Sequence, residues 1–440
     1  STRGVRTCHY TRTAMMTVCS PKQNISDIIC FEKQISGDGM TEEDIQLAYD
    51  VSAARIREVE TRFHRYLYSN IDWNVRILAL NGPRGVGKTT MFLQYLKEHS
   101  AEAEKSLYIS LDTAWLEARE IFELAKYHVE HGGTRLFLDE VHYLKDWQRL
   151  VKNLYDNFKG LRIAYTGSSI LRMAEGYGDL SRRQVAYTLA GLSFREYLTF
   201  EGLLDYPILP LAEVLANHVR IAQEIAEKVK VLGAFDRYLT NGYYPFYREP
   251  GSGYEMRISQ LVNQVLESDY PSIEDVSAAT IRKARRMLRI LSETPPQTLN
   301  LSALCRELET DRKMGYKMLL ALERAGLLML LSSEAESLKN MSRPDKIYCD
   351  NPNLMNALVP DSNVGTMREC FFFNQLRAAH LVTYPKEGDF LVDGKWLFEV
   401  GGEGKGFNQI KDIPNSFLAV DDTEVGRGAR VPIWLFGFLY

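Results

Sequence analysis

The 440-residue sequence has no apolar run near the roughly 18 residues that a membrane-spanning helix requires, which argues against a helical membrane protein. It also has little cysteine. The six are Cys8, Cys19, Cys30, Cys305, Cys349 and Cys370, with no C-x-x-C spacing and no companion histidine cluster. That pattern disfavours both structural zinc and a disulfide scaffold, and the expected setting is reducing and cytoplasmic. Net charge is scarce as well. Fifty-three Lys and Arg stand against 57 Asp and Glu, a formal −4, so the molecule as a whole is not an electrostatic nucleic-acid binder. Any such role has to come from a local basic face. Acidic residues are missing from the first 24 positions, which carry Arg3, Arg6, Arg12 and Lys22 without an amphipathic period. Residues 1–44 are therefore taken as an N-terminal tail outside the fold.

What is present is globular: 45% apolar and 25% charged residues in a chain long enough for several cores. The most informative stretch is NGPRGVGKTTMF (81–92), which follows the apolar run Val75 to Leu80. It fits G-x-x-x-x-G-K-[ST] from Gly82 to Thr89, and the motif has physical meaning only between a strand and a helix. Both flanks read that way, because Met91, Phe92 and Leu96 recur at helical spacing after the loop. Gly82, Pro83, Arg84, Gly85, Val86, Gly87, Lys88, Thr89 and Thr90 are the predicted nucleotide-binding residues. Their backbone N–H groups and the helix N-terminus attract phosphate, Lys88 adds a point charge, and the Thr89 hydroxyl is placed for Mg²⁺.

Hydrolysis also needs carboxylates. The run Arg135 to Leu138 ends in Asp139-Glu140, with Asp139 expected to steady Mg²⁺ and Glu140 to polarise the attacking water. A third apolar run, Leu161 to Tyr165, ends in Thr166-Gly167-Ser168-Ser169, where a hydroxyl would sense the γ-phosphate between the two motifs. Ser168 is preferred, with Thr166 as its rival. Together with the strand Ser106 to Leu111, these runs alternate with helices and predict an α/β fold, a parallel sheet of P-loop NTPase type with its ligand at the carboxyl edge.

GPRGVGKTT, LFLDEVHYLKDWQRLVKNLYD, the YTGSS turn, GLSFREYL (191–198) and YLTNGYYPF (238–246) resemble, in order, segments of the bacterial and archaeal AAA+-type ATPases that carry a winged helix and a nuclease-like domain after the P-loop domain. The resemblance covers roughly residues 45 to 440. It implies a P-loop ATPase domain over 45–200, a helical lid over 201–276, a winged helix over 277–345 and a small α/β nuclease-like domain over 346–440. It also places Arg182 and Arg183 where such enzymes carry a charge-stabilising arginine supplied by a neighbouring subunit, and Arg183 is the candidate in a homo-oligomer. Arg195 is expected to make a structural ion pair.

Beyond the P-loop domain, Tyr243, Tyr244, Phe246 and Tyr247 form an aromatic cluster best read as buried packing rather than base stacking. From 281 to 325 the pattern is helix, NLSALCRELE, a polar turn and MGYKMLLALERAG, the outline of a winged helix. Ten Lys or Arg against five Asp or Glu there leave a local +5, with Arg312, Lys313 and Lys317 as candidate phosphate contacts to duplex DNA. A winged helix also serves for docking a protein partner. In the last segment, Glu369, Asp389 and Glu399 look like the acids of a PD-(D/E)-x-K nuclease, and Asp389 and Glu399 fit its metal positions. Gly401 stands where the lysine belongs and Lys405 follows four residues later, so the domain is read as a vestigial nuclease site with cleavage in doubt. The functional expectation is an ATPase using ATP and Mg²⁺ that couples nucleotide state to nucleic-acid engagement. The alternative is a slow, nucleotide-dependent switch for protein docking without a DNA role. No second RecA-like unit accompanies Asp139-Glu140-Val141-His142, which disfavours a paired helicase motor.

Overall fold

The computed structural model describes residues 40–99, 104–112, 116–168, 180–251, 253–271, 275–294, 300–333, 344–359, 362–406 and 409–440. Most of the predicted tail lies outside them, as does Ser169. Helix α1, Glu42–Glu58, already begins within the span assigned to the tail. Thr41 caps it in a reciprocal box with Asp44, and Glu42, Glu43 and Asp44 place negative charge at the positive end of the helix dipole.

Five parallel strands form the first sheet: β1 (Ile77–Gly82), β2 (Ser106–Ser110), β3 (Arg135–Asp139), β4 (Arg162–Ser168) and β5 (Val185–Thr188), in the order β2-β3-β4-β1-β5. Helices cover both faces, so β1 and β3 are buried along their whole length and read in sequence as continuous apolar runs. Helix α2 (Lys88–Glu98) leaves the loop after β1, while α3 (Ala118–Glu130) and α4 (Trp147–Asn157) pack with α1 behind the sheet. The register matters for function. Gly82 of β1 lies beside Ser168 of β4, and β4 separates β1 from β3. The hydroxyls ending β4 therefore stand between the phosphate loop and the acid pair.

Helices α5 (Phe194–Phe200), α6 (Leu211–Ala226) and α7 (Val231–Asn241) follow. Of the predicted lid, α6 and α7 share a core with the C-terminal sheet. Only the portion after Asn241, including α8 (Tyr254–Gln264), joins the core of the P-loop domain. The split has a simple cause: Leu211, Val214, Ile221, Phe235 and Tyr238 offer an apolar face that Phe371, Trp434 and Phe438 cover. Tyr243 and Tyr244 are buried, as the packing reading requires.

Three helices come next, α9 (Ala278–Glu293), α10 (Leu301–Glu307) and α11 (Arg312–Arg324), then an antiparallel pair of strands, β6 (Leu328–Leu331) and β7 (Lys346–Cys349). Asn300 caps α10 and Asp311 caps α11. The pairing of β6 with β7 joins residues on either side of the 345/346 division expected from sequence. Helices α12 (Pro352–Leu358) and α13 (Val364–Arg377) lead to a mixed sheet of β8 (Val382–Thr383), β9 (Phe390–Val392), β10 (Trp396–Gly401), β11 (Ser416–Val420) and β12 (Arg430–Pro432), in the order β12-β11-β10-β9-β8. Among the described residues no helix is long and apolar enough to cross a membrane.

Candidate functional site

The loop from Gly82 to Gly87 turns the chain from β1 into α2. Gly85 and Gly87 have φ of 79° and 97°, in the left-handed region that favours glycine, and Gly87 is the residue before the first helical turn. Gly85 is also pressed from outside, since a Cβ there would come within 2.7 Å of the Phe246 ring. The next residues present a helix N-terminus with its backbone donors. Lys88, buried, donates through Nζ to the carbonyls of Gly82 and Pro83, each at 3.0 Å, which lays its charge along the inside of the loop.

The Thr89 hydroxyl donates to Asp139 Oδ2 at 2.7 Å, and the same oxygen accepts from Tyr108 on β2 at 2.7 Å. Thr166 donates to Asp139 Oδ1 and accepts from the Glu140 backbone N–H at 2.8 Å. Burial pushes the Asp139 carboxyl above the usual carboxylate range and neighbouring Glu140 adds to this, while the hydroxyls of Thr166, Thr89 and Tyr108 oppose it. Burial next to Asp139 likewise raises the Tyr108 phenol. A carboxylate this enclosed, in contact with the Thr89 hydroxyl, suits a divalent cation. Thr89 and Asp139 are the residues that would hold Mg²⁺.

Ser168 and Thr166 have different fates. Thr166 is committed between the two acids, whereas Ser168 Oγ is buried and has no hydrogen-bond partner among the described residues. Its strand register sets it level with Gly82, on the loop side of the sheet. Glu140 follows β3 with φ of 54°, a left-handed conformation uncommon outside glycine, which carries its side chain away from the strand direction. Its carboxylate lies 3.3 Å from His142.

The predicted arginine is not brought to this site. Arg183 precedes β5, whose Val185 pairs with Leu78, so it lies near the amino edge of the sheet with its guanidinium 5.9 Å from the Tyr155 ring centre. The length of β1, roughly 20 Å at a strand's rise per residue, separates that edge from the phosphate loop. Within one chain Arg183 therefore does not meet the triphosphate, and Arg182 is exposed beside it. In GLSFREYL the buried ion pair is made by Glu196 rather than Arg195. Arg65 binds Glu196 at 3.0 Å and donates to the carbonyls of Val86, Ala190 and Gly191, bracing the loop from behind. Arg195 donates instead to the carbonyls of Tyr440 and Tyr206.

Arg65, Tyr108, His142 and Asp269 were not legible as site residues, because each bonds a partner far away in sequence, and of Arg84 only its place in the loop was legible, not its bond to Asp269. The histidine of Asp139-Glu140-Val141-His142 was the one available signal.

The acids of the last segment are arranged differently. Lys346 of β7 places Nζ 3.4 Å from Glu369 and 3.3 Å from Asp389, and the second Asp389 oxygen accepts from Val400 N at 3.0 Å. Although burial works against its charge, Glu369 and Asp389 hold the Lys346 ammonium pKa above its ordinary value. Glu399 is buried, with Oε2 unpartnered among the described residues. Lys405 does fold back, since a Cβ on Gly401 would meet its side chain at 2.6 Å. Among the described residues no group of three or more His, Cys, Asp or Glu is arranged to hold a metal ion. One ammonium stands against the two carboxylates of Glu369 and Asp389, and Glu399 is not among its ion-pair partners within the described residues.

Residues 74–198 match a family model described as AAA domain. Residues 232–365 match a model described as a domain of unknown function, DUF8612. Two proteins of Methanocaldococcus jannaschii, both described as uncharacterized, are similar over most of their length. MJ1637 is 25% identical over 366 residues, spanning 76% of this chain and 77% of the relative, and MJ1544 is 24% identical over 378 residues, 80% of each. Among solved structures, the replication initiator DnaA bound to AMPPCP and single-stranded DNA superposes with a TM-score of 0.24 at 13% identity, covering 66% of this chain and 91% of that one. AMPPCP-bound DnaA from Aquifex aeolicus gives 0.23 at 16%, covering 64% and 89%. These superpositions are loose. The chemistry of residues 74–198 rests on their own side chains.

Proposed function

We propose that the chain is a Mg²⁺-dependent ATPase whose nucleotide state is passed to the units beyond the AAA domain. The observation that carries this reading is the contact of Thr89 with Asp139 at 2.7 Å beside a buried Ser168 hydroxyl that the protein leaves unpaired. Mg²⁺, when bound, neutralises charge on the phosphates and fixes their orientation. Lys88 and the loop amides bind the phosphate oxygens, Thr89 and Asp139 hold the metal and its water, and Ser168 reads the γ-phosphate. Glu140 orients the water that attacks phosphorus, while the bond to the β-γ bridging oxygen breaks and ADP leaves. Arg183 acts, on this reading, only across a subunit interface.

The coupling reading is supported by contacts on the loop itself. Phe246 and Leu261 press on Gly85, and Gly326, at the end of α11, lies where a Cβ would come within 2.8 Å of Pro83. A change in the loop is therefore felt by the unit of α9 to α11 and its strand pair, which we read as a winged helix. Its Arg312, Lys313 and Lys317 are exposed, and duplex DNA is the proposed partner. Duplex binding that weakens steeply with salt supports this assignment. If duplex fails to bind at low salt, the protein-docking alternative takes its place.

The decisive experiment is phosphate release by the wild type and Glu140→Gln. The variant should turn over about 100-fold or more slowly and retain ATP, the loss typical of a removed general base. Unchanged turnover contradicts the assignment.

A further inference from the structure

Breaking the bond between the β- and γ-phosphates gathers negative charge on the transferring group, and an arginine placed there speeds the step strongly. The cations already described are committed elsewhere. Arg65 is spent on Glu196 and three carbonyls behind the loop, and Arg183 lies near the amino edge of the sheet. Arg84 is placed differently. It stands in the phosphate loop, where one terminal nitrogen donates to Asp269 Oδ1 at 2.8 Å and the other donates to the Tyr143 hydroxyl at 3.0 Å. Tyr143 closes the short turn Val141–Tyr143 that follows Glu140, and Asp269 closes the helical turn Val265–Asp269 that continues α8. His142 Nε2 lies 3.2 Å from the same Asp269 oxygen, and the far side of its ring lies 3.3 Å from the Glu140 carboxylate. One imidazole therefore separates the anchor of Arg84 from the residue assigned to the attacking water.

We propose that Arg84 is a catalytic residue supplied by the phosphate loop of the same chain, that its guanidinium meets the charge developing on the γ-phosphoryl group, and that Asp269 and Tyr143 position it. This rests on the ATPase reading above.

Position comes first. Arg84 is two residues past Gly82, which the register sets level with Ser168, the hydroxyl assigned to the γ-phosphate. From there its side chain runs to Tyr143 and Asp269, on the side of Glu140, whereas Lys88 leaves the other end of the loop and bonds the carbonyls of Gly82 and Pro83. Donor count comes next. A guanidinium carries five N–H donors, and these two bonds take one at each terminal nitrogen, so phosphate oxygens can be met by the rest without either bond breaking. The fork is also held still. Asp269 is fully enclosed and the Arg84 side chain is only 16% exposed, so its donors are in place before charge appears. Although burial works against its charge, Asp269, Glu140 and Tyr143 hold the guanidinium pKa above its ordinary value, and it stays a cation. Arg84 exchanges no proton and makes no bond to phosphorus. It donates N–H to the γ-phosphoryl oxygens while the bond to the bridging oxygen breaks and its electron pair leaves with ADP.

The test measures three quantities in the full chain: kcat, affinity for a non-hydrolysable ATP analogue, and affinity for ADP with aluminium fluoride, which mimics the transferring group. Arg84→Ala should lower kcat about 100-fold or more and keep analogue affinity within about tenfold. Its affinity for ADP with aluminium fluoride should fall at least tenfold further than its analogue affinity, a split that a merely structural role does not produce. Arg84→Lys keeps the charge but loses the planar fork, and should recover part of the rate. Tyr143→Phe removes one anchor and should lower kcat about threefold or more at unchanged analogue affinity. Removing Arg84 alone strips the cation from enclosed Asp269 and can unfold the chain. In that case Arg84→Gln with Asp269→Asn removes both charges and carries the same expectations as Arg84→Ala. Supply within the chain is tested by mixing Arg84→Ala with Lys88→Ala copies, which hold an intact Arg84, and no rate should return. A kcat within about threefold of the wild type, equal losses of both affinities, or rescue in the mixture overturns the proposal. With Glu140→Gln as control, normal turnover of that variant strikes the ATPase reading itself. A slow Glu140→Gln beside an unimpaired Arg84→Ala strikes only the role of Arg84.

Discussion

Ser168 and Thr166 end the same strand two residues apart, and sequence alone hardly separates them. The structure does, through their partners. Thr166 is bonded to Asp139 and to the Glu140 amide, while Ser168 keeps a buried hydroxyl without a protein partner among the described residues. Burying a hydroxyl unpaired is unfavourable, and such a group is retained where a ligand completes it. Removing it costs no hydrogen bond within the fold. Ser168→Ala should therefore leave thermal stability within about 1 kcal/mol of the wild type and lower kcat by about tenfold, the worth of one neutral hydrogen bond formed to the γ-phosphate. Stopped-flow phosphate release with a melting curve on the same preparation checks both halves. Loss of stability without loss of rate would return Ser168 to a packing role. The residues legible in the sequence were those whose motif is local, Gly82 to Thr89 and Asp139-Glu140. Arg65 with Glu196, and His142 with Asp269, are separated by 131 and 127 positions and leave no spacing to read.

Strands were the most legible elements, because a strand covered on both faces is an apolar run and β1, β3 and β4 end in residues with evident chemistry. Strand order was not legible. That β4 lies between β1 and β3 follows from pairing across the sheet, and it is this order that turns two hydroxyls at one strand end into a link between the two motifs. Helices α6 and α7 show the same limit. Their amphipathic faces announce burial but not against what, and they pack on the C-terminal sheet. At β7 an element-scale prediction concerns pH. Burial pushes the Cys349 thiol up to about 11 from 9.0, although a bond to Ser292 of α9 opposes it. Between those values the folded chain keeps a proton that the unfolded chain has released, so stability falls as pH rises. The slope is about 1.4 kcal/mol per pH unit for one proton, or about 3 kcal/mol over the window. Buried Tyr243 and Tyr244, both raised by burial, add to the loss in the same direction. In denaturant titrations from pH 8 to 11, Cys349→Ala should start less stable but lose less. Parallel curves would mean that Cys349 does not titrate across the β6–β7 pair.

At the scale of the molecule, two of the three apolar cores lie on opposite faces of the first sheet, and the third joins α5 to α7 with the C-terminal sheet. The phosphate loop, through Val86, belongs to one of them. Arg65 braces it from behind, Phe246 and Leu261 cover Gly85, and Gly326 meets Pro83. These contacts are the ones through which the proposed nucleotide binding would act on more than its own pocket. The C-terminal acids Glu369 and Asp389, by contrast, are ion-paired with Lys346 and have no role in the proposed reaction. Everything depends on the loop binding a triphosphate with Mg²⁺. Equilibrium titration of a fluorescent ATP analogue into the wild type and Lys88→Ala, with Mg²⁺ and with EDTA, measures that directly. The account predicts saturable binding by the wild type that tightens with Mg²⁺ and weakens by about 100-fold in Lys88→Ala. Equal affinity in the two proteins, or none in either, would contradict it.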